Sequence, residues 1–342
     1  MLGRRPFLVG SAATAAIFAG QARAHQDLKP PRLQPGAGVG LLAPGGAVFE
    51  REKVAIVEEA MEALGLVPYL APHLFDRYGY LAGSDRDRAQ DINEFFADPK
   101  IQLLLPLRGG WGCARVLPYL DYETIKRTPK ILVGFSDITS LLLGIYAKTG
   151  LITFHGPNGI SSWRPYQTDV FRRVLFGGES LTFANPRDPD DEGRLMQVKN
   201  RIQTIQPGRA QGRLIGGNLS VLSGIVGSPY WPGLKGAILF VEDVGETIYR
   251  VDRLLTHLKL AGVFEEIAGF IFGECTNCLP DADYGSLTLE EVVWGHIQPL
   301  GIPAWYGAAI GHVENIITLP VGGRVEIDAA AGTIRLLEAA VV

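Results

Sequence analysis

An α/β protein in two parts is what this sequence predicts, and three observations carry that expectation. From Val39 onward, short apolar runs alternate with amphipathic stretches, the pattern of strands and helices layered around a mostly parallel sheet. Between about Gly178 and Gly212 the character changes: Asn185-Pro186-Arg187-Asp188-Pro189-Asp190-Asp191-Glu192-Gly193 is polar, turn-rich and aperiodic. Beyond it, further apolar runs with an amphipathic stretch between them predict a smaller, mixed α/β domain. The expected divisions are residues 33–178, a linker at 179–212, and 213–342. At 342 residues, 47% of them hydrophobic, the chain can bury a core in each part.

Taken in order, Val39 to Leu42 reads as a first strand, emptying into Ala43-Pro44-Gly45-Gly46, and Glu50 to Leu64 has helical periodicity. Ile101 to Leu107 is apolar apart from Gln102, suits a buried strand, and runs into Arg108-Gly109-Gly110-Trp111-Gly112. A helix or helical turn over Cys113 to Leu120 follows, then a strand at Lys130 to Phe135 and a helix at Ile138 to Thr149. In the second part, Ala237 to Val241, Gly269 to Gly273, Ala304 to Ala309 and Arg324 to Ile327 read as strands, and Thr247 to Leu260 as a helix.

Charge narrows the function classes. The formal net charge is −4 and the Lys and Arg residues are scattered, so a polyphosphate backbone finds no basic stripe and nucleic acid is not an expected partner. Arg4-Arg5-Pro6-Phe7-Leu8, an Ala-rich stretch from Val9 to Gly20 and the small-x-small Ala22-Arg23-Ala24 resemble a twin-arginine export signal over residues 1–24. Removing it would leave 29 bases against 36 acids, a net −7. Its apolar core is short for a bilayer span, so stable membrane insertion is not expected, whereas export to the periplasm is.

Three cysteines are too few for a disulfide framework in a chain this long. Cys275 and Cys278 have redox-motif spacing, but no second pair or neighbouring His completes a metal site. Packing or loop cysteines, open to oxidation after export, are the plainer expectation.

Chemistry is sought where strands end, because loops converge there and helix N-termini present their N–H groups. Ser136 occupies the turn between the strand Ile131-Leu132-Val133-Gly134-Phe135 and the helix opened by Asp137-Ile138-Thr139-Ser140, the position of a nucleophile elbow. The match to Gly-x-Ser-x-Gly is half complete, since Ile138 replaces the second glycine, and a helix N-cap is the commoner role for Ser-Asp. A serine needs a base to take its proton and an acid to orient that base. His312 and His155 both follow apolar stretches and compete as base, while Glu242, Asp243 and Glu246 compete as the acid. The glycines of Arg108 to Gly112 would let the backbone approach a substrate and offer the Gly110 N–H to an oxyanion, or they simply make a tight turn. Cys113 is a rival nucleophile that lacks an elbow of its own.

Together, Leu42-Ala43-Pro44-Gly45-Gly46, Arg108-Gly109-Gly110-Trp111-Gly112 with Leu117-Pro118-Tyr119-Leu120-Asp121, Gly134-Phe135-Ser136-Asp137, His155-Gly156-Pro157, Gly216-Gly217-Asn218-Leu219 and Gly311-His312 resemble the serine LD-carboxypeptidase (muramoyl-tetrapeptide carboxypeptidase) family, from about Leu33 to the C-terminus. The resemblance implies a Ser136, His312, Glu242 triad and an oxyanion hole from the Gly110 and Asp137 backbone. It also implies a glutamine-amidotransferase-like, flavodoxin-like first domain, a homodimer, and no metal or organic cofactor. The implied reaction removes a terminal D-alanine from murein tetrapeptide, with Arg108, Trp111 and Arg115 as candidates for holding the substrate. Two other functions stay open: cleavage of peptide-nucleotide antibiotic conjugates, and ligand binding without turnover.

Overall fold

The computed structural model describes residues 27–281 and 285–342; the expected export signal over 1–24 lies outside the described residues. Fourteen strands build two sheets among the described residues: β1 (Gly38–Leu42), β2 (Val67–Leu70), β3 (Ile101–Pro106), β4 (Ile131–Gly134), β5 (Thr153–His155), β6 (Thr182–Phe183), β7 (Gln203–Gln206), β8 (Arg209–Asn218), β9 (Ile238–Val244), β10 (Gly269–Thr276), β11 (Ala304–Tyr306), β12 (Leu319–Val321), β13 (Arg324–Asp328) and β14 (Thr333–Leu336).

The first sheet has the order β12-β5-β4-β3-β1-β2. Its first five strands run parallel in the flavodoxin-like order 2-1-3-4-5, so the switch point falls between β1 and β3. The loops after β1, β3 and β4 therefore gather at one edge. β1 and β4 are buried along their whole length, which is why they read as unbroken apolar runs and not as alternating ones. The helix Arg51–Ala63 buries Val54, Val57 and Met61 on one face. Helix Thr139–Thr149 is buried nearly all round, because it lies between the first sheet and β8.

The second sheet has the order β6-β14-β13-β8-β9-β10-β11-β7. At its centre β8, β9, β10 and β11 are parallel, and antiparallel strands flank them. The register pairs Asn218 with Glu242, so polar residues end two adjacent strands side by side.

Two expectations need correction. The stretch 179–212, expected as a linker, holds β6, β7 and the start of β8, all members of the second sheet. Sequence pattern misses them because β6 is two residues long and β7 is a mostly exposed edge strand, so neither shows an apolar run. The C-terminal part is also not self-contained, since β12 leaves it to pair antiparallel with β5 of the first sheet. Buried side chains form one continuous core through both sheets.

Candidate active site

Strand β4 delivers Phe135 and then Ser136, whose φ is +63°, in the left-handed region that a side chain enters at a cost. That strained turn lifts the hydroxyl off the sheet, as an elbow requires. Asn158, from the loop after β5, braces it: its amide oxygen accepts from the Phe135 N–H at 3.1 Å.

The glycine loop after β3 lies directly against this turn. A methyl on Gly109 would fall 2.8 Å from Ser136 Cβ and 3.0 Å from both Ser136 Oγ and the Asp137 nitrogen. Only a residue without Cβ fits. The Gly46 N–H donates to the Gly109 carbonyl at 2.9 Å, so the loop after β1 holds the loop after β3 in place. Gly110 has a φ of +103°. No turn or side-chain hydrogen bond among the described residues takes the Gly110 or Asp137 N–H, which leaves both free beside the hydroxyl.

The second sheet supplies an imidazole and an acid. Glu242, fully buried near the end of β9, meets His312 Nδ1 with Oε2 at 2.8 Å. Gly311 makes this approach possible, because a Cβ there would come within 2.2 Å of Glu242 Oε2. The Phe135 ring stands edge-on to His312 with centroids 4.9 Å apart, so the residue before the serine also shapes the seat of the imidazole. Ser136, His312, Gly109, Gly110, Arg108 and Asn158 line one cleft of about 350 Å³. No hydrogen bond joins the Ser136 hydroxyl to His312 here; such bonds commonly tighten only when substrate arrives.

Each competing residue has another place. His155 is fully buried between Phe135 and Phe240, with centroids 6.3 and 5.2 Å away, and neither ring nitrogen has a partner among the described residues. Asp243, on the opposite side of β9 from Glu242, accepts from Asn218 Nδ2 at 3.0 Å and from the Ser220 N–H at 2.9 Å. Burial pushes its carboxyl up to about 6. Glu246 pairs with Arg250. Cys113 is fully buried, and burial, then the neighbouring Asp137, pushes its thiol well above the ordinary range, which disfavours the thiolate a nucleophile needs.

His155 yields a prediction. Burial pushes its pKa down to about 4 from 6.5, so the folded state resists the proton that the unfolded chain accepts. The associated stability is present above pH 6.5 and is lost as pH falls toward 4. At pH 5 the loss is about 2 kcal/mol. His155→Phe should therefore gain that much on wild type between pH 7 and pH 5, measured by thermal or urea unfolding; equal losses in both proteins would contradict it.

Of the three substrate-binding candidates, only Arg108 lines the cleft. Arg115 is exposed, forks onto Asp85 at 2.9 to 3.1 Å and is not among the residues lining the cleft. Trp111 is exposed, stands edge-on to Tyr80 at 5.9 Å and is likewise not among them. Cys275 and Cys278 form a disulfide, and among the described residues no cluster of His, Cys, Asp and Glu could hold a metal ion. Sequence pattern passed over Asn158, Phe135 and Thr139. The Thr139 hydroxyl accepts from the Asn218 N–H at 3.0 Å and ties the two sheets together beside the cleft. A signal existed for Asn158, which directly follows His155-Gly156-Pro157, and for Phe135, which lies within Gly134-Phe135-Ser136-Asp137.

A strained serine at a strand-to-helix turn, two free N–H groups beside it and an acid-held imidazole facing the same cleft define a hydrolase of the serine type. The chain belongs to the LD-carboxypeptidase family. The family's N-terminal domain matches residues 39–156 and its C-terminal domain residues 211–327. A Bacillus subtilis (strain 168) protein named "Probable murein peptide carboxypeptidase" is 35% identical over 312 residues, 90% of this chain and 93% of that one. The murein tetrapeptide carboxypeptidase of Pseudomonas aeruginosa is 31% identical over 292 residues, 83% of this chain and 91% of its own. Among solved structures, the self-immunity protein MccF in complex with glutamyl sulfamoyl guanosine superposes with a TM-score of 0.84 at 30% identity, covering 92% of this chain and all of that one.

Proposed function

We propose that the enzyme hydrolyses the L,D-peptide bond of a murein tetrapeptide and releases the terminal D-alanine. The observation that carries this reading is the cleft itself, where Ser136, the Glu242-held His312 and a cation, Arg108, face one space. The names of the Bacillus and Pseudomonas relatives support the substrate.

In this mechanism Ser136 Oγ attacks the carbonyl of the L-residue while His312 Nε2 takes its proton, and Glu242 holds Nδ1–H and stabilises the imidazolium. The N–H groups of Gly110 and Asp137 receive the oxyanion, a contact whose loss typically costs about 10²–10³ in rate. His312 then gives its proton to the departing amine of D-alanine, and water, deprotonated by the same ring, hydrolyses the ester. Arg108 pairs with the terminal carboxylate, since it forms no salt bridge with any described residue.

Mass spectrometry after incubation with a murein tetrapeptide tests the reading: D-alanine and the tripeptide should accumulate. Arg108→Ala should raise KM roughly 10–100-fold, as expected for a lost charged hydrogen bond, and Arg115→Ala should leave it within about twofold. Likeness to MccF, solved with glutamyl sulfamoyl guanosine, favours a second reading, cleavage of an aminoacyl sulfamoyl nucleoside. Turnover of that compound with an untouched tetrapeptide would replace the first reading by the second. The proposal extends to a homodimer, supported by the family resemblance, and to export, supported by Arg4-Arg5 and the segment that follows. Sedimentation and cell fractionation test these two.

A further inference from the structure

We propose that the Cys275–Cys278 disulfide is a positioning device for His312, acting through Thr276, so that the enzyme works at full rate only in its oxidised form.

His312 sits in a stretch without regular structure, between β11 and β12. Its ring is held by Glu242, but its backbone needs a separate anchor, which Thr276 provides: the Thr276 hydroxyl donates to the His312 carbonyl at 2.9 Å. Thr276 is the last residue of β10 and lies within the ring that the disulfide closes. The four-residue turn is tightened further by a Cys278 N–H to Cys275 carbonyl bond of 3.2 Å. Asn277 at its apex has a φ of +57°, a conformation that asparagine tolerates better than most residues.

The other side of the turn is tied to the strand that carries the acid. Cys275 pairs with Asp243 and Thr276 with Val244, one and two residues past Glu242, and the Gly245 N–H donates to the Thr276 carbonyl at 2.9 Å. Cys275 and Thr276 also line a cavity of about 530 Å³ that shares His312 with the catalytic cleft. A covalent staple thus closes the turn after β10, which is hydrogen-bonded on one side to the strand bearing the acid and on the other to the segment bearing the base. Opening it frees the backbone on which the Thr276 hydroxyl is aimed, and displacements of about 1 Å near reacting groups can cost about 10²-fold in rate. Cys275 is buried while Cys278 is half-exposed, so a thiol in solution has a sulfur to attack.

Reduction balances in two exchanges. A dithiothreitol thiolate attacks Cys278 Sγ and releases the Cys275 thiolate. The second dithiothreitol thiol then closes on the mixed disulfide, leaving two protein thiols and oxidised cyclic dithiothreitol.

The inference rests on His312 acting as base for Ser136, and the test separates the two claims. The probe is a fluorophosphonate, which bonds phosphorus to Ser136 Oγ with loss of fluoride while His312 takes the proton. Labelling of wild type and none of Ser136→Ala, located by mass spectrometry, secures the base-assisted serine independently of any peptide. Against that background, reducing wild type with dithiothreitol should lower the maximal inactivation rate about 10-fold or more, with the half-saturating probe concentration within about twofold, and reoxidation should restore it. Thr276→Val should show a similar fall, and Thr276→Ser, which keeps the hydroxyl, should recover most of it. Cys275→Ser/Cys278→Ser should start low and ignore dithiothreitol. Equal rates in oxidised and reduced wild type, or a wild-type rate in Thr276→Val, would overturn the proposal. So would a Thr276→Ser variant as slow as Thr276→Val, because the hydroxyl would then not be the link.

Discussion

Ser136→Ala is expected to lower kcat for D-alanine release by roughly 10⁴–10⁶-fold, the range seen when a serine hydrolase loses its nucleophile. The residual rate would come from the oxyanion donors and from substrate positioning, which this substitution leaves in place. Stability should not fall with activity. The hydroxyl makes no hydrogen bond to a described residue, and Ala keeps the Cβ that packs against Gly109. The φ of +63° is no worse for Ala than for Ser. The unfolding free energy should therefore stay within about 1 kcal/mol of wild type. Undiminished release by a folded Ser136→Ala protein would remove Ser136 from the chemistry altogether.

Glu242→Gln should have the second-largest effect, a fall in kcat of about 10³–10⁴ with KM little changed, because an amide fixes neither the tautomer nor the charge of the imidazole. If the amide NH₂ faces Nδ1, the ring proton moves to Nε2 and faces the serine, where no base remains. If the amide oxygen faces Nδ1, the tautomer survives but the imidazolium loses its countercharge. Glu242 is fully buried and its Oε1 has no partner among the described residues, so removing the charge should hold or raise the unfolding midpoint. Asp243→Asn is the control, since Asp243 satisfies Asn218 Nδ2 and the Ser220 N–H and not the histidine. It should lose stability before it loses chemistry. A large kcat effect in Asp243→Asn with a mild one in Glu242→Gln would exchange their roles.

Much of the fold was legible because the central strands of both sheets are buried on both faces. Ile131–Gly134, Ile238–Val244 and Gly269–Thr276 carry apolar runs that a reader of sequence can bound to within a few residues. The edges were not legible. β2 is mostly exposed, β6 is two residues long, and β7 pairs only with β11, so each owes its form to a neighbour and not to its own pattern. The helix Asp85–Ala97 is capped by Ser84 and was also passed over, because its polar first turn hides the apolar face formed by Ile92, Phe95 and Phe96.

The sequence by itself determined the chemistry that is local in the chain. It set a serine at a strand-to-helix turn, glycines where backbone must approach backbone, and polar residues just beyond apolar strands. Resemblance across ordered motifs then named the family. The resemblance singled out one of two histidines and one of three acids, and only the tertiary structure showed those two paired with each other and the histidine lining the serine's cleft, since that depends on pairing between strands far apart in the chain. It placed His155 among aromatic rings and His312 on Glu242, turned Arg115 onto Asp85, and left Arg108 in the cleft. A strand end fixes where a side chain starts, but the packing of two sheets around one core fixes what it meets.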